Sequence, residues 1–467
     1  MSTPMILIDF GSTWTKVCAV DRLKPALLGT SAAPTTASSD VMAGLRAAQD
    51  LLPPLPGLAD APRRACSSAA GGLKMIAIGL VPELTAAAAR MAALGAGAKL
   101  VKTFSYQLTL ADIREIAALR PDIVLLTGGT DGGNTACIEH NARCLAGCQT
   151  RFPVLVAGNR NALDSCLRLL AGCEAYPCPN VMPRLDQLDT TPAQEKIRSL
   201  FLERIIRGKG LSQASSLLDS ILMPTPAAVL AALVLLADGT GNQAGLGDLV
   251  AVDLGSATCD VYSIASGEPK GSQVMLKGLP EPCAKRTVEG DLGVRHNIDG
   301  ILETAGLDAV TARSGLDAGQ IKRLSAELAR SPGKLTAGQD AARFEYALAA
   351  SAIEHATLRH AGRLETVYTP QGPVMLQTGK DLTGVQTLVL SGGPLIHAAD
   401  TLGLARFALC APSQPLVLKP RKVRVLLDRS AILPAMGLLA GTDPDAALTL
   451  LKKELISVGT VQQETGA

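Results

Sequence analysis

MILIDFGSTWTK (residues 5–16) and LVAVDLGSATCD (residues 249–260) are one phrase written twice. Each is an apolar run ending in Asp-x-Gly-Ser, with Asp9 matching Asp253, Gly11 matching Gly255 and Ser12 matching Ser256. An apolar run of this length followed by Gly-Ser predicts a strand and a tight turn. In the first copy, Ile6–Phe10 and Val17–Val20 form a hairpin around that turn. Two copies this far apart predict two related half-molecules facing each other.

The residues at the turns fit phosphate. A glycine lets backbone N–H groups approach an anion with no side chain between them. Ser12, Thr13, Thr15 and Lys16 in the first copy, and Ser256 and Thr258 in the second, add donors beside Gly11 and Gly255. Asp9 and Asp253 carry the wrong charge to touch phosphate directly. They make sense as holders of a hydrated Mg²⁺, which keeps several waters and takes one or two carboxylates plus phosphate oxygens. At about 4 Å, attraction between unit charges is about 4 kcal/mol at an effective dielectric of 20, and a divalent ion increases it. Asp9, Asp253 and Asp260 are the catalytic candidates and Asp9 and Asp253 the metal candidates, with a magnesium-bound polyphosphate expected between the turns.

Composition narrows the field. The chain has 467 residues, enough for two or three domains, and 47% of them are hydrophobic. A net charge of +2 and 3% aromatics argue against a nucleic-acid partner. KPRKVR (419–424) reads as a solvated strand edge. The uncharged stretch Ser220 to Ala237 contains Pro224 and Pro226 and reads as a buried loop and helix, not a membrane span. The eleven cysteines are scattered, with no Cys-x-x-Cys, and read as small buried hydrophobes of a reducing cytosol. A cytoplasmic location is expected, because no signal peptide precedes Asp9.

Strand–helix alternation appears between about residues 65 and 175, with strands at Met75–Leu80, Lys99–Phe104, Ile123–Thr127 and Val154–Ala157. Pro82 is placed in the first turn of the Ala-rich helix after the first of these. Such alternation predicts a mostly parallel sheet inserted in the first half. Residues 34–64 read as a loop-rich edge, 190–222 as helical, and the segment after Asp443 as a helix with a polar end. The expected organisation is a first half at 1–245, a second half at 246–445 and a C-terminal helix and tail at 446–467.

Taken in order, five motifs resemble those of the actin, Hsp70 and sugar kinase superfamily. The two phosphate phrases come first and third. MPTPAAVLAAL (223–233) is similar to the first connecting helix and ILPAMGLLAG (432–441) to the second. LVLSGGPLIHA (388–398) is similar to the adenosine motif, which places Gly392 and Gly393 against the nucleoside. The resemblance implies an α/β, two-lobed actin/Hsp70-like (ribonuclease H-like) ATPase fold with an α/β insertion in the first half. Chaperone-type relatives carry an acid at the start of the first connecting segment to orient the attacking water; here Met223 stands near that place.

Three further stretches narrow the resemblance: SSAAGGLKMIAIGLVPELTAAAA (67–89), IVLLTGGTDGGN (123–134) and KRTVEGDLGVR (285–295). They resemble the accessory proteins of adenosylcobalamin-dependent glutamate mutase. That implies an ATP-dependent, chaperone-like reactivating factor with weak ATPase activity, which releases damaged cobalamin from a mutase client. Two other functions remain open: a small-molecule kinase with Asp131 or Asp260 as base, and a nucleotide-gated structural protein. TGGTDGGN (127–134) reads equally as an anion loop or a structural turn. Glu289, Asp291, Arg286 and Arg295 read equally as cleft residues or a salt-linked loop. None of the five histidines follows an Asp by two residues, so corrinoid ligation by that loop motif is not expected.

Overall fold

The computed structural model describes residues 4–463, apart from 37–40, 55–56, 59, 69–72, 149, 186, 209–219, 272, 331–337 and 371. Parts of LLPPLPG (51–57), of the 67–89 motif and of the 190–222 helix expectation, and the last four residues, lie outside the described residues.

The first phrase forms the hairpin expected of it. Strand Pro4–Phe10 pairs antiparallel with Trp14–Asp21, placing Asp9 opposite Lys16. Trp14–Asp21 pairs antiparallel with Ala26–Pro34. On its other side Pro4–Phe10 runs parallel to Arg63–Ser67, and that strand runs parallel to Ser220–Pro224. Within this half the strand order is third, second, first, fourth, fifth.

The second half repeats the plan. Leu249–Leu254 pairs antiparallel with Cys259–Ile264, which pairs antiparallel with Ala284–Glu289. Leu249–Leu254 runs parallel to Thr387–Ser391, which runs parallel to Lys422–Leu427. The same order in both sheets, with the same strand directions, is the duplicated α/β fold that the repeated phrase predicts.

A shared helical layer lies between the two sheets. Helices Thr225–Asp238 and Leu433–Ala440 are apolar on nearly every face, as buried helices are, and each begins with a proline in its first turn. Leu233, Leu236, Met436 and Leu439 pack with Leu7 of the first sheet and Ala251 of the second in one core. A side chain at Gly437 would collide with the Ala228 carbonyl, so this glycine sets how closely the helices cross.

The insertion is a separate five-stranded sheet, parallel throughout, with strands Lys74–Gly79, Lys99–Ser105, Ile123–Leu126, Val154–Val156 and Ala175–Pro177. Its order is second, first, third, fourth, fifth. The helix after its first strand, Thr85–Gly95, begins three residues later than Pro82. Thr85 explains the start: its hydroxyl accepts from the Leu80 and Val81 amides, holding the turn ahead of the helix.

Four expectations need correction. Residues 34–64 contain helix Val41–Asp50, whose Met42, Leu45 and Ala48 enter the core. The 190–222 segment is helix Thr191–Gly208 followed by strand Ser220–Pro224. The chain end after helix Pro444–Glu454 is strand Ile456–Gln462, which pairs antiparallel with Lys422–Leu427. KPRKVR therefore enters an interior strand, and Lys419 is buried with its ammonium donating to the Phe407 carbonyl.

Candidate functional site

The two turns are closed in the same way. Gly11 N donates to Trp14 O at 3.1 Å, and Gly255 N donates to Thr258 O at 2.9 Å. A Cβ at Gly11 would stand 2.5 Å from Trp14 O, so the first turn requires glycine. Ser12 is exposed, and Thr13 is half-buried. Thr15 is different: it is fully buried, and its hydroxyl bonds Thr35, whose hydroxyl donates to Gly11 O. Thr15 supports the turn from behind and does not face the cleft.

Around Asp9 the first half builds a buried pocket of polar groups. Thr225, the first residue of the connecting helix, donates to Asp9 Oδ1 at 2.6 Å. The Cys66 thiol lies 3.6 Å from the same oxygen. Burial, with Asp9 next in effect, pushes that thiol well above its ordinary value, so it stays neutral. Met223 packs against the core between the halves and contributes no acid.

Asp253 stands in the most strongly charged environment. Its carboxyl is pushed up to about 7, first by burial, then by Asp260, with Asp428 and Asp9 adding and Lys16 opposing. These five side chains therefore share one electrostatic neighbourhood, drawn from both halves. Lys16 is half-buried on the strand facing Asp9.

The 388–398 stretch lies beside the second turn. Gly392 has φ of 99°, a left-handed conformation, and a Cβ there would collide with Leu254 O and lie 2.9 Å from Asp253 Oδ1. Gly393 faces open space. Ser391, opposite Asp253 in the parallel register, donates to Asp428 Oδ2 at 3.1 Å. Asp428 also accepts from the Ile432 and Leu433 amides, fixing the start of the second connecting helix. Burial raises its carboxyl, while those two amides oppose the rise.

Asp260 is engaged on both oxygens. Arg286 bonds Oδ1 through Nε at 2.8 Å and Nη2 at 2.6 Å, and Thr258 donates to Oδ2 at 2.9 Å. Thr258 is thereby turned to the carboxylate. Ser256 offers its carbonyl to the Arg295 and His296 amides, and Asn297 holds the Ala257 carbonyl. KRTVEGDLGVR thus packs on the back of the second turn. Its other charges are paired: Arg359 bonds Glu289 at 2.7 Å and Asp291 at 2.8 Å, and Arg295 bonds Glu345 at 2.8 Å. These are the salt-linked loop of the two readings.

The TGGTDGGN loop is knitted from within. Asp131 Oδ1 accepts from Arg160 N and Asn180, Asn159 donates to the Gly133 carbonyl, and Gly132 N donates to Asn161. Gly129 and Gly132 take left-handed φ values that suit a structural turn.

Sequence reasoning missed Thr35, Cys66, Thr225 and Asp428. Asp428 had a signal: VRVLLD followed by Ile432 and Pro434 is a strand end, a capping acid and a helix start. Among the described residues, no group of three His, Cys, Asp or Glu side chains is arranged to hold a metal. All eleven cysteines are free, and eight are buried. No described helix is long and apolar enough to cross a membrane.

The duplicated sheets and their paired glycine turns define an α/β protein built from one strand plan used twice. Residues 5–455 match the MutL protein family, and the chain is 43% identical over 461 residues to "Protein MutL" from Clostridium tetanomorphum, covering 97% of this chain and 99% of that one. The chain belongs to the MutL family, the accessory family of that name and not the DNA-repair protein. Among solved structures it is similar to xylulose kinase from Bifidobacterium adolescentis, at 14% identity and TM-score 0.33, covering 99% and 97% of the two chains. It is also similar to gluconate kinase from Lactobacillus acidophilus, at 11% identity and TM-score 0.35, covering 99% and 94%.

Proposed function

We propose that the chain is an ATP-dependent reactivating factor for an adenosylcobalamin-dependent mutase, releasing damaged cobalamin so that an intact molecule can bind. One observation carries the nucleotide part: two glycine turns are closed by the same hydrogen bond, and Lys16 and Asp9 of the first half act electrostatically on Asp253 of the second. Family membership and the three narrower motifs support the mutase part.

The donor set fits magnesium-bound nucleotide. Gly11, Ser12 and Thr13 would receive phosphate oxygens from one side, and Gly255 and Ser256 from the other. Lys16 supplies the cation. Asp9, oriented by Thr225, and Asp253 would hold the hydrated Mg²⁺. Gly392 packs tightly against Leu254 and Asp253, and Gly393 beside it leaves open space for the nucleoside. Bound Mg²⁺ supplies positive charge that offsets the crowded carboxylates and stabilises charge developing on the phosphates.

The chain's own residues make hydrolysis slow. Met223 stands near the place where chaperone-type relatives have an acid, and the segment offers only the Thr225 hydroxyl, already donating to Asp9. Asp253, kept as the carboxylate when Mg²⁺ is bound, would help hold and orient the metal's water. Binding and turnover then bias the arrangement of the two halves, and the client feels that bias. The kinase reading has no such support: both nominated bases, Asp131 and Asp260, are committed to protein partners.

The test is recovery of a mutase inactivated with damaged cofactor. Added chain, magnesium ATP and fresh adenosylcobalamin should restore activity, with no recovery when ATP is omitted. Equal recovery with and without ATP contradicts the proposal.

A further inference from the structure

One helix end is held by arginines from two parts of the chain. Helix Thr85–Gly95 of the insertion ends with the carbonyls of Leu94, Gly95 and Ala98 close together. Arg286 Nη1 donates to Ala98 O at 2.9 Å and to Leu94 O at 3.4 Å. Arg198, from helix Thr191–Gly208 of the first half, donates to Gly95 O at 3.1 Å. Cations suit a helix C-terminus, where the carbonyls carry partial negative charge.

Arg286 is also the partner of Asp260, which stands opposite Asp253 in the second turn hairpin. Arg286 is 5% exposed and Asp260 7%. The chain of contacts runs Asp253, its cross-strand neighbour Asp260, Arg286, then the insertion's helix end. Every link after the first is a hydrogen bond or ion pair. A parallel contact lies beside it: a Cβ at Gly290 would stand 3.0 Å from the Lys99 side chain, so the strand end and the insertion touch here as well.

We propose that Arg286 is a positioning residue that passes the state of the second turn to the insertion, with Arg198 anchoring the same helix end to the first half. This inference rests on the nucleotide reading given above and names how that site acts on the rest of the chain. Guanidinium geometry suits the task. Its planar fork holds a carboxylate on one edge and carbonyls on another, which a lysine ammonium does not reproduce. A shift of the Cys259–Ile264 strand by a fraction of an ångström must therefore either drag the helix end or break a buried charge pair. Breaking the pair costs more, because it leaves a carboxylate or guanidinium buried without its partner.

Hydrogen exchange at the amides of Ala96, Gly97 and Ala98 reads the link, since these close the helix end. In the wild type, magnesium AMP-PNP should slow their exchange by about fivefold or more, the size of ordinary site-to-site coupling. In R286Q that difference should fall below about twofold while calorimetry still detects AMP-PNP uptake, and R286K should restore part of it. A purely structural role would speed exchange in every condition and leave the nucleotide difference intact, which overturns the proposal.

A second arm needs no nucleotide. D260N should speed exchange at Ala96–Ala98 by about threefold or more, while amides of the distant helix Ala136–Ala146 stay unchanged. An effect confined to residues near 260 overturns the proposal. If the wild type takes up no AMP-PNP, the nucleotide reading fails, and the D260N result alone decides whether the link exists.

Discussion

Across from Asp9 in the first turn hairpin stands Lys16; at the same register in the second, across from Asp253, stands Asp260. The backbones agree down to the glycine amide that closes each turn. The charges are opposite. In the first hairpin a cation neighbours the acid directly. In the second, two acids neighbour each other, and Arg286 takes one of them away into a buried pair. Duplication has kept the scaffold and divided the labour. In the proposed site the first turn would provide positive charge for phosphate, while the second holds a carboxyl raised by burial and paired acids and a connection outward. Lys16 acts on both, since it opposes the rise at Asp253.

The largest effect should come from making the hairpins alike. Lys16→Asp removes the cation of the first hairpin and sets another acid beside Asp253. Nucleotide affinity should fall by about 100-fold, about 3 kcal/mol, as charge-assisted contacts are lost. Calorimetry checks it, and an affinity within about threefold of wild type breaks the comparison.

The pH dependence sharpens the comparison at Asp253. Its folded carboxyl, at about 7, holds a proton that the unfolded chain releases near 4. The folded state binds more protons between these values, so this group's contribution makes stability fall as pH rises from about 4 to about 7. Asp253→Asn removes that penalty. The variant should resist urea better than the wild type at pH 8 and match it near pH 4, with a shallower slope between. Equal stability at pH 8 would contradict the assigned environment. Magnesium-dependent binding in the wild type should strengthen as pH rises through 7, because the metal requires the carboxylate.

A smaller effect is expected at Thr225. Thr225→Ala deletes the hydroxyl that orients Asp9 and leaves the turn intact. Nucleotide affinity should drop by about tenfold, or about 1.4 kcal/mol. The smallest belongs to Thr15. Thr15→Val removes the bond to Thr35 behind the turn, with a stability loss of about 1 kcal/mol and affinity within about twofold of wild type. A larger affinity loss would return Thr15 to the cleft, where the sequence had placed it.

The duplicated phrase was legible because everything it needs is local: an apolar run, an Asp, a Gly and a Ser. Strand alternation in the insertion was legible for the same reason. Asp428 and Thr225 were harder. Each matters because parallel pairing brings its strand end beside a turn far away in the chain, and spacing does not display that. Thr15 was placed in the site because a hydroxyl near a turn looks useful; only the packing of Thr35 against Gly11 shows which way it points. Ile456–Gln462 was missed as a strand because Gly459 interrupts a short, mostly exposed run, and its partner supplies the stability. Helix Val41–Asp50 was missed because the surrounding Pro, Ala and Ser read as loop, while its burial comes from tertiary contact.

The central claim is that both hairpins hold one magnesium nucleotide. Calorimetric titration of magnesium AMP-PNP into the wild type, Asp9→Asn and Asp253→Asn tests it most directly. One nucleotide should bind per wild-type chain, and each substitution alone should weaken uptake by about 30-fold. Wild-type affinity in either variant would show that a single hairpin suffices and contradict the account.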